Sequence, residues 1–587
     1  MRADPPSAAR VRPAVRVRAL LVGAAALALG LALHAGAWAA PGDAGGATPA
    51  SPARTAAQIV QRIQELLKQF GDYRGAVDGR LGADTVTAIR SYQRRSGLPE
   101  DGAATEAVLN QIEFATAAAQ LRTRIDAARA DQVQTAALAL LAQPQTRQLI
   151  AGRPTGEAAD PTRDVAGCFA APTTRCLLEE ASESAKAISD YRTRDWALGE
   201  IVLAQAKAGL PVEAFQTAGR ILDPRLIIAA LRDIVIGRAA TGDIDQAVAA
   251  SALIPDALAR VTALAGVAES EARAGRPDAV AKTLADVERL VAGLPAAQVP
   301  AQLLAQLGVA LYRVGYPKAG TVIDAARLLA ETGPAEVREA ALASVAAALA
   351  QSERTGAAEA VLASLTQRDS RRVVLASLAT AYARNGGGEQ AERHALAIEE
   401  PQYRALSLAA VGAAQAASGD QATARRTLAH ALSDARSVDL RSVFARSNAL
   451  GAVARAHATA GFTEEALAIA RSIADATVRV EAEWAVANAM ARDGDPAGLA
   501  AIRAQFMADI DGITNALDRV WVLSNAAVTA ARTGDSAAAQ LAFAGALRES
   551  QGIPEAGPRS RAVAKVATTL VTLDWSAGNL ARPSPEQ

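Results

Sequence analysis

The chain has 587 residues, 61 basic and 61 acidic side chains, and only 3% aromatic residues. A neutral balance gives no electrostatic footprint for nucleic acid, and an Ala-rich, aromatic-poor composition suits close-packed helix pairs rather than a sandwich or barrel. The length exceeds one ordinary domain.

Residues 1–18 carry Arg2, Arg10, Arg12, Arg16 and Arg18, and Ala19 to Leu33 is an uncharged apolar run of 15 residues. Ala37-Trp38-Ala39 comes next, with small residues at the two positions that a signal peptidase reads. Residues 1–39 therefore have the form of a secretory signal peptide cut before Ala40, which sends the chain to the periplasm or out of the cell. The alternative is an uncleaved anchor, but the run is short for a span of about 20 residues, so no stable membrane span is expected after cleavage. Removing five Arg and one Asp takes the net charge from 0 to −4. Residues 40–54 are rich in Gly, Pro, Ala and Ser and read as a flexible linker.

Residues 55–115 read as a compact bundle of three short helices. Ile59 to Phe70 is amphipathic, and Val86 to Ser96 is a second helix capped by Asp84 or Thr85. After Gly97-Leu98-Pro99 and the turn at Asp101-Gly102, a third helix runs through Leu109. Val77, Leu81, Ile89, Tyr92 and Leu98 are expected in the core, with Gly79 and Gly82 present for backbone angles. Gln64, Leu67, Val77-Asp78-Gly79, Gly82, Thr85, Ala88, Ile89, Tyr92, Gln93, Gly97, Leu98, Asp101 and Gly102 form an ordered set. In that set the stretch resembles the small peptidoglycan-binding domain found on many cell-wall hydrolases and envelope proteins. The resemblance implies a non-catalytic module that grips the wall polymer. Asp78, Arg80, Thr85 and Gln93 are the candidates to face a muropeptide, although each also suits a cap or a turn hydrogen bond.

Residues 116–167 form a connector: a helix from Ala115 to Leu141, then a Pro- and Gly-rich stretch, Gln143 to Gly167, read as a linker or loose strap. Beyond it stand Cys168 and Cys176, the only two cysteines. In an oxidising compartment they are expected to pair. The short loop they close is worth roughly 2–3 kcal/mol and pins the strap onto the first helical hairpin.

Residues 168–578 repeat one pattern. From an Arg it places Leu at four, an aliphatic residue at seven, a small residue at eight, Gly at fifteen and often Ala at twenty. Arg194 gives Leu198, Ile201, Val202, Gly209 and Ala214. Arg404 gives Leu408, Val411, Gly412, Gly419 and Ala424, and Arg446 gives Leu450, Val453, Ala454, Gly461 and Ala466. Arg260, Arg371, Arg479 and Arg519 open further copies. Positions four, seven and eight share one helix face, the Gly ends the helix, and a second Ala-rich helix comes after it. Asp190, Asp256, Glu400 and Asp475 stand four residues before their Arg, placed to cap the helix or to pair with it. The closing glycines run Gly209, Gly242, Gly275, Gly315, Gly356, Gly386, Gly419, Gly461, Gly494, Gly534 and Gly578, spaced 30 to 44 residues apart and 33 apart in four intervals. Paired helices at that period predict an α-solenoid of about eleven hairpins, each held by its neighbours. The small residue at eight, Gly at fifteen and Ala at twenty resemble the tetratricopeptide repeat, with Leu where that family often has Trp and without its Tyr.

The expected architecture is thus all-α: a small three-helix bundle plus a long solenoid, with a short tail at 579–587. The expected function is a non-enzymatic envelope protein, with no cofactor and no metal. The small domain would bind peptidoglycan and the solenoid an unidentified protein or peptide. Trp196 and Trp521 sit in the same slot, two residues after their Arg, and are partner-contact candidates. His394, His430 and His457 stand alone in separate repeats, and no His-Glu-x-x-His, Gly-x-Ser-x-Gly or phosphate-loop motif is present. A second reading makes the chain a wall hydrolase, or the obligate activator of one, with the solenoid as a substrate clamp. A third, ranked last, makes the solenoid a small-molecule binder.

Overall fold

The computed structural model describes residues 55–576 apart from 155, 161, 164, 296–299, 441, 494 and 495. The expected signal peptide with its cut, the expected linker at 40–54 and the tail at 579–587 lie outside the described residues. Among the described residues the chain is all-α, without strands. It divides into two compact units, residues 1–127 and 128–587.

The first unit holds α1 (Ala56–Gln69), α2 (Ala83–Arg95) and the start of α3 (Glu106–Ala142). A capping box between Thr55 and Gln58 starts α1. Ile63, Leu66, Leu67, Tyr73, Ala88, Ile89, Tyr92, Leu109 and Ile112 form its core. Two expectations need correction. The third helix does not stop near Leu109 but continues for 37 residues as α3, since no Gly or Pro interrupts it before Pro144. Leu81 is not core but 50% exposed, because its loop turns polar atoms, not its side chain, toward the interior.

The second unit begins with an anchored strap. After α4 (Pro144–Ala151), Arg153 donates to the carbonyls of Gly219 and Ile221 at 3.1 and 2.6 Å. Arg220 pairs with Glu157 at 2.8 Å. The stretch expected to be loose is thus tied down by charge. Cys168 in α5 (Ala166–Ala170) and Cys176 in α6 (Thr174–Lys186) form the expected disulfide, with Cα atoms 5.8 Å apart.

Helices then alternate in pairs: α7 Tyr191–Lys207 with α8 Pro211–Gly219, α9 Pro224–Ala240 with α10 Ile244–Ser251, and α11 Ala257–Arg273 with α12 Pro277–Ala292. Next come α13 Pro300–Arg313 with α14 Ala319–Thr332, α15 Ala335–Gln351 with α16 Thr355–Ser364, and α17 Arg368–Arg384 with α18 Gly388–Leu396. The series continues through α19 Pro401–Ala417 with α20 Gln421–Ser437, α21 Val443–Thr459 with α22 Thr463–Arg471, and α23 Ala476–Asp493 with α24 Pro496–Ile510. The last described helices are α25 Ala516–Arg532, α26 Ser536–Gln551 and α27 Ala556–Ser576.

The array is closed. Each odd-numbered helix from α7 to α27 packs on the next odd-numbered one, and α27 packs on α7. The place of a second helix beside α27 is taken by α6, from the other end of the repeat region. Among the described residues this makes eleven first helices and eleven second helices in a ring. First helices touch one another and second helices pack on first helices, so the first helices form the inner wall. One hydrophobic core runs through the joint: Leu177, Leu178 and Ala181 belong to the same cluster as Val563, Val566 and Ala567. Polar contacts repeat the internal pattern across it. Arg404 and Arg519 pair with Asp434 and Glu549 on their own second helices at 2.7 and 2.6 Å. Arg559, at the equivalent place in α27, pairs with Glu180 of α6 at 2.8 Å, and Ser560 Oγ donates to the carbonyl of Ala181.

The repeat Arg has a definite job. Arg371, Arg404, Arg479 and Arg519 each donate to the carbonyl six residues back, of Leu365, Ile398, Ile473 and Ile513, at 2.8–3.2 Å. Each thereby satisfies the C-terminal end of the preceding second helix, where carbonyls lack partners and the dipole favours a cation. The acids four residues earlier do not pair with that Arg. Asp190, Asp256 and Asp475 accept from backbone N–H groups of Thr193, Ala259 and Val478, and Glu400 reaches back to Arg368 and Arg372 of the preceding first helix. The closing residue of the fifth copy is Glu353, at φ 65°, rather than Gly356, which lies inside α16.

Gly412 is buried in α19, and a Cβ there would stand 2.6 Å from Leu428 Cγ of α20. Gly412→Leu should destabilise by about 1–3 kcal/mol or more through overpacking. Limited proteolysis should then cut first between residues 370 and 460 and spare residues 55–115. A melting curve and a digest like the parent's would show that the contact tolerates bulk.

Glu483 fills the slot that holds Leu198, Leu408, Leu450 and Leu523 in other copies. It is buried, and burial, then the facing Asp509 carboxyl, push its pKa up to about 7, against the pull of Arg479 and Arg471. Since the folded value lies above the unfolded one, the neutral form favours folding. That contribution is complete below the ordinary Glu range and lost as pH rises through about 7. Glu483→Leu should therefore stabilise more at pH 8 than at pH 5, with the gap between variant and parent growing by on the order of 2 kcal/mol. Denaturant unfolding of both proteins at the two pH values measures that gap, and a constant gap counts against the assignment.

Candidate functional site

The small unit is organised by two glutamines. Gln64 of α1 is fully buried. Its Oε1 accepts from the backbone N–H of Asp78 and of Gly79 at 3.0 and 2.9 Å. Its Nε2 donates to Asp78 Oδ1, the Arg80 carbonyl and Thr85 Oγ1, each at 3.0 Å. Gln93 of α2 repeats the device one helix later: Oε1 accepts from Gly102 N–H at 2.9 Å and Nε2 donates to Asp101 Oδ1 at 2.7 Å. Each Asp also accepts from the N–H two residues on, in Arg80 and Ala103. Those backbone bonds first, and the glutamine second, hold both carboxyls below the usual range. Gly79 and Gly102 both take φ 71°, and each loop lies against the helix before it: a Cβ on Gly79 would meet the Ala57 carbonyl, and one on Gly102 would meet Val86.

This divides the four candidates. Thr85 and Gln93 are 1% and 2% exposed and use their polar atoms internally, so they shape the loops rather than face a ligand. Asp78 and Arg80 are exposed at the loop tip beside Leu81. The chemistry that can reach a ligand there is a carboxylate, a guanidinium and an apolar side chain.

The ring presents a second site on its inner wall. Trp196 of α7, Arg561 of α27 and Trp521 of α25 occupy the same slot of three successive first helices, each two residues after its own Arg. The Arg561 guanidinium carbon lies 3.8 Å from the Trp196 ring centre and 5.7 Å from that of Trp521. The joint therefore brings together the two indoles, 325 residues apart in sequence, with a cation stacked between them. Arg561 Nε donates to Glu200 Oε1 at 2.9 Å. Lys565 Nζ donates to Asn525 Oδ1 at 2.9 Å and lies 5.5 Å from the Trp521 ring centre. Burial, then Lys207, push the Lys565 pKa down to about 8, against the pull of Glu200. Burial pushes the Glu200 carboxyl up, against the pull of Arg561 and Lys565. On α15, α17 and α19 the same slot holds Ala340, Val373 and Leu406, and on α23 Glu481, so the two indoles with a cation between them belong to the joint.

Sequence reasoning did not single out Arg561, Lys565 or Glu200. The available signal was Glu180, an acidic helix residue with no repeat Arg before it, and Arg559, a repeat Arg that calls for such an acid. The histidines remain apart: His457 is buried on the Val453 carbonyl, His394 faces Glu359, and His430 faces Glu392. Among the described residues no group of three or more His, Cys, Asp or Glu is placed to hold a metal ion, and no helix is long and apolar enough to cross a membrane. A cavity of about 750 Å³ lies between the strap and α6 and α8, and several of its charged lining residues pair with one another, as in Arg175–Glu213 and Lys186–Glu183.

Residues 57–112 match the family described as "Putative peptidoglycan binding domain". The "Putative OxPP cycle protein OpcA" of Nostoc punctiforme is 38% identical over 79 residues, 13% of this chain and 17% of that protein. The chain thus spans less than a fifth of that relative. Among solved structures, Ton1535 from Thermococcus onnurineus NA1 shares 15% identity over 55% of this chain and 97% of its own, with a TM-score of 0.25. A "Circular tandem repeat protein with novel repeat topology and enhanced subunit contact surfaces" shares 13% over 89% and 98%, with a TM-score of 0.16. At these scores neither likeness bears on the fold. The chain carries a peptidoglycan-binding domain at residues 57–112, joined to an all-helical repeat region.

Gln64→Leu leaves two backbone N–H groups and the Thr85 hydroxyl without their buried partner, and should cost the small unit about 2–4 kcal/mol. Arg80→Ala, at an exposed tip, should stay within about 0.5 kcal/mol of the parent. Thermal unfolding followed in the small unit separates the two, and equal effects would show that the glutamine is not the organising group.

Proposed function

We propose that the protein is an exported, non-enzymatic component of the cell envelope that holds peptidoglycan through residues 55–115 and presents its helical ring to a further partner. The observation that carries this reading is the family match, joined to the Asp78–Leu81 loop that Gln64 fixes in place. Wall polymer contacts that loop through Arg80, with Leu81 and the outward side of the Asp78 carboxylate beside it. The Arg-rich, apolar N-terminus supports a periplasmic or secreted location.

Purified insoluble sacculi, mixed with the mature chain at low salt and spun down, test the reading. The parent should sediment with the wall, and Arg80→Ala should sediment several-fold less while remaining folded. Protein left in the supernatant would falsify wall binding. Release of soluble muropeptides by the protein alone would establish the hydrolase reading in its place.

A further inference from the structure

We propose that the inner wall at the ring's joint is a binding site for an acidic saccharide: a muropeptide whose sugar ring stacks on Trp196 and whose carboxylate meets Arg561 and Lys565. The proposal rests on the reading that the protein acts on peptidoglycan, and it assigns a second contact with that material, separate from the small domain.

Three observations converge. First, Trp196 is 56% exposed although Arg561 covers one of its faces, and the remaining indole surface beside hydrogen-bond donors suits a pyranose ring, with its apolar C–H face and polar rim. Second, the cations are under-compensated. Glu200 is engaged by Arg561, Lys565 bonds the neutral amide of Asn525, and Lys207 stands close enough to oppose the Lys565 charge, with Asp233 partly offsetting Lys207. A bound carboxylate relieves this crowding. Third, the lumen selects by size. At a helix spacing of about 9 Å, eleven inner helices make a circle roughly 30 Å across at their axes, and helices about 10 Å thick with their side chains leave an opening roughly 20 Å across. An opening of that width admits a glycan fragment or an extended chain and excludes a folded domain.

The test is calorimetric titration of the full mature chain with three probes: a disaccharide-tetrapeptide muropeptide, a neutral N-acetylglucosamine oligomer and the free stem tetrapeptide. The muropeptide should bind best. Trp196→Ala should remove or weaken one class of site by about tenfold, and Trp196→Phe should restore most of it. Lys565→Gln should weaken binding and flatten its salt dependence. Sacculus sedimentation through the small domain should be unchanged in all three variants. No muropeptide binding, binding indifferent to Trp196→Ala and Lys565→Gln, or equal binding of the free stem peptide overturns the proposal. Failure of sedimentation with the Trp196-dependent site intact overturns the small-domain reading instead and leaves this one standing.

Discussion

The pairing of α27 with α6 is the constraint on which the repeat region depends. A helical hairpin in an open array has two neighbours except at the ends, where an apolar face must be capped or left wet. Here the two ends cap each other. α27 brings Val563, Val566 and Ala567 on its buried stripe, and α6 covers them with Leu177, Leu178 and Ala181. The Arg559–Glu180 pair then sets the register. A half-buried pair of this kind contributes less through its net energy than through its specificity, because an unmatched Arg or Glu in that place costs more than a matched pair gains.

Closure also explains why the inner wall is uneven. On α15, α17 and α19 the slot two residues after the repeat Arg holds Ala340, Val373 and Leu406, on α21 it holds Asn448 and on α23 Glu481. At the joint the same slot carries Trp521, Arg561 and Trp196, and the next turn carries Asn525, Lys565 and Glu200. These residues bond one another across three helices. They strengthen the joint and also give the lumen its aromatic and cationic chemistry. The small domain is arranged on the opposite principle. Its buried glutamines spend their hydrogen bonds on backbone, so that a short loop with few side chains is held rigidly at the surface.

Much of this architecture is legible locally. The period of the Arg-Leu-Gly pattern specifies helix pairs, and Gly412 falls where a helix contact demands the absence of a side chain. The Asp-Gly dipeptides mark turns, and two cysteines in a chain expected to be exported imply one bridge. What local pattern does not contain is which end meets which. Each copy looks alike to its neighbours, so the meeting of residues 379 apart, Arg559 and Glu180, is visible only as two unmatched charges. The exposed Leu81 misleads for a related reason: an apolar residue in a loop reads as core until it is known that a buried amide already fills that place. The roles of Thr85 and Gln93 are hidden likewise, since a polar residue reads the same whether it bonds a ligand or its own backbone.

The joint has a consequence for assembly. The helix that completes the eleventh unit need not come from the same molecule, because every contact of α27 with α6, α7 and α25 is also satisfied by an α27 from another copy. Self-closure wins while the effective concentration of the chain's own end exceeds that of its neighbours. A ring made this way is one outcome of a competition, and the alternative outcome is a domain-swapped oligomer held by the same Arg559–Glu180 pairs. Crowded refolding, or a hinge too stiff to bring α27 round, tips the balance toward exchange.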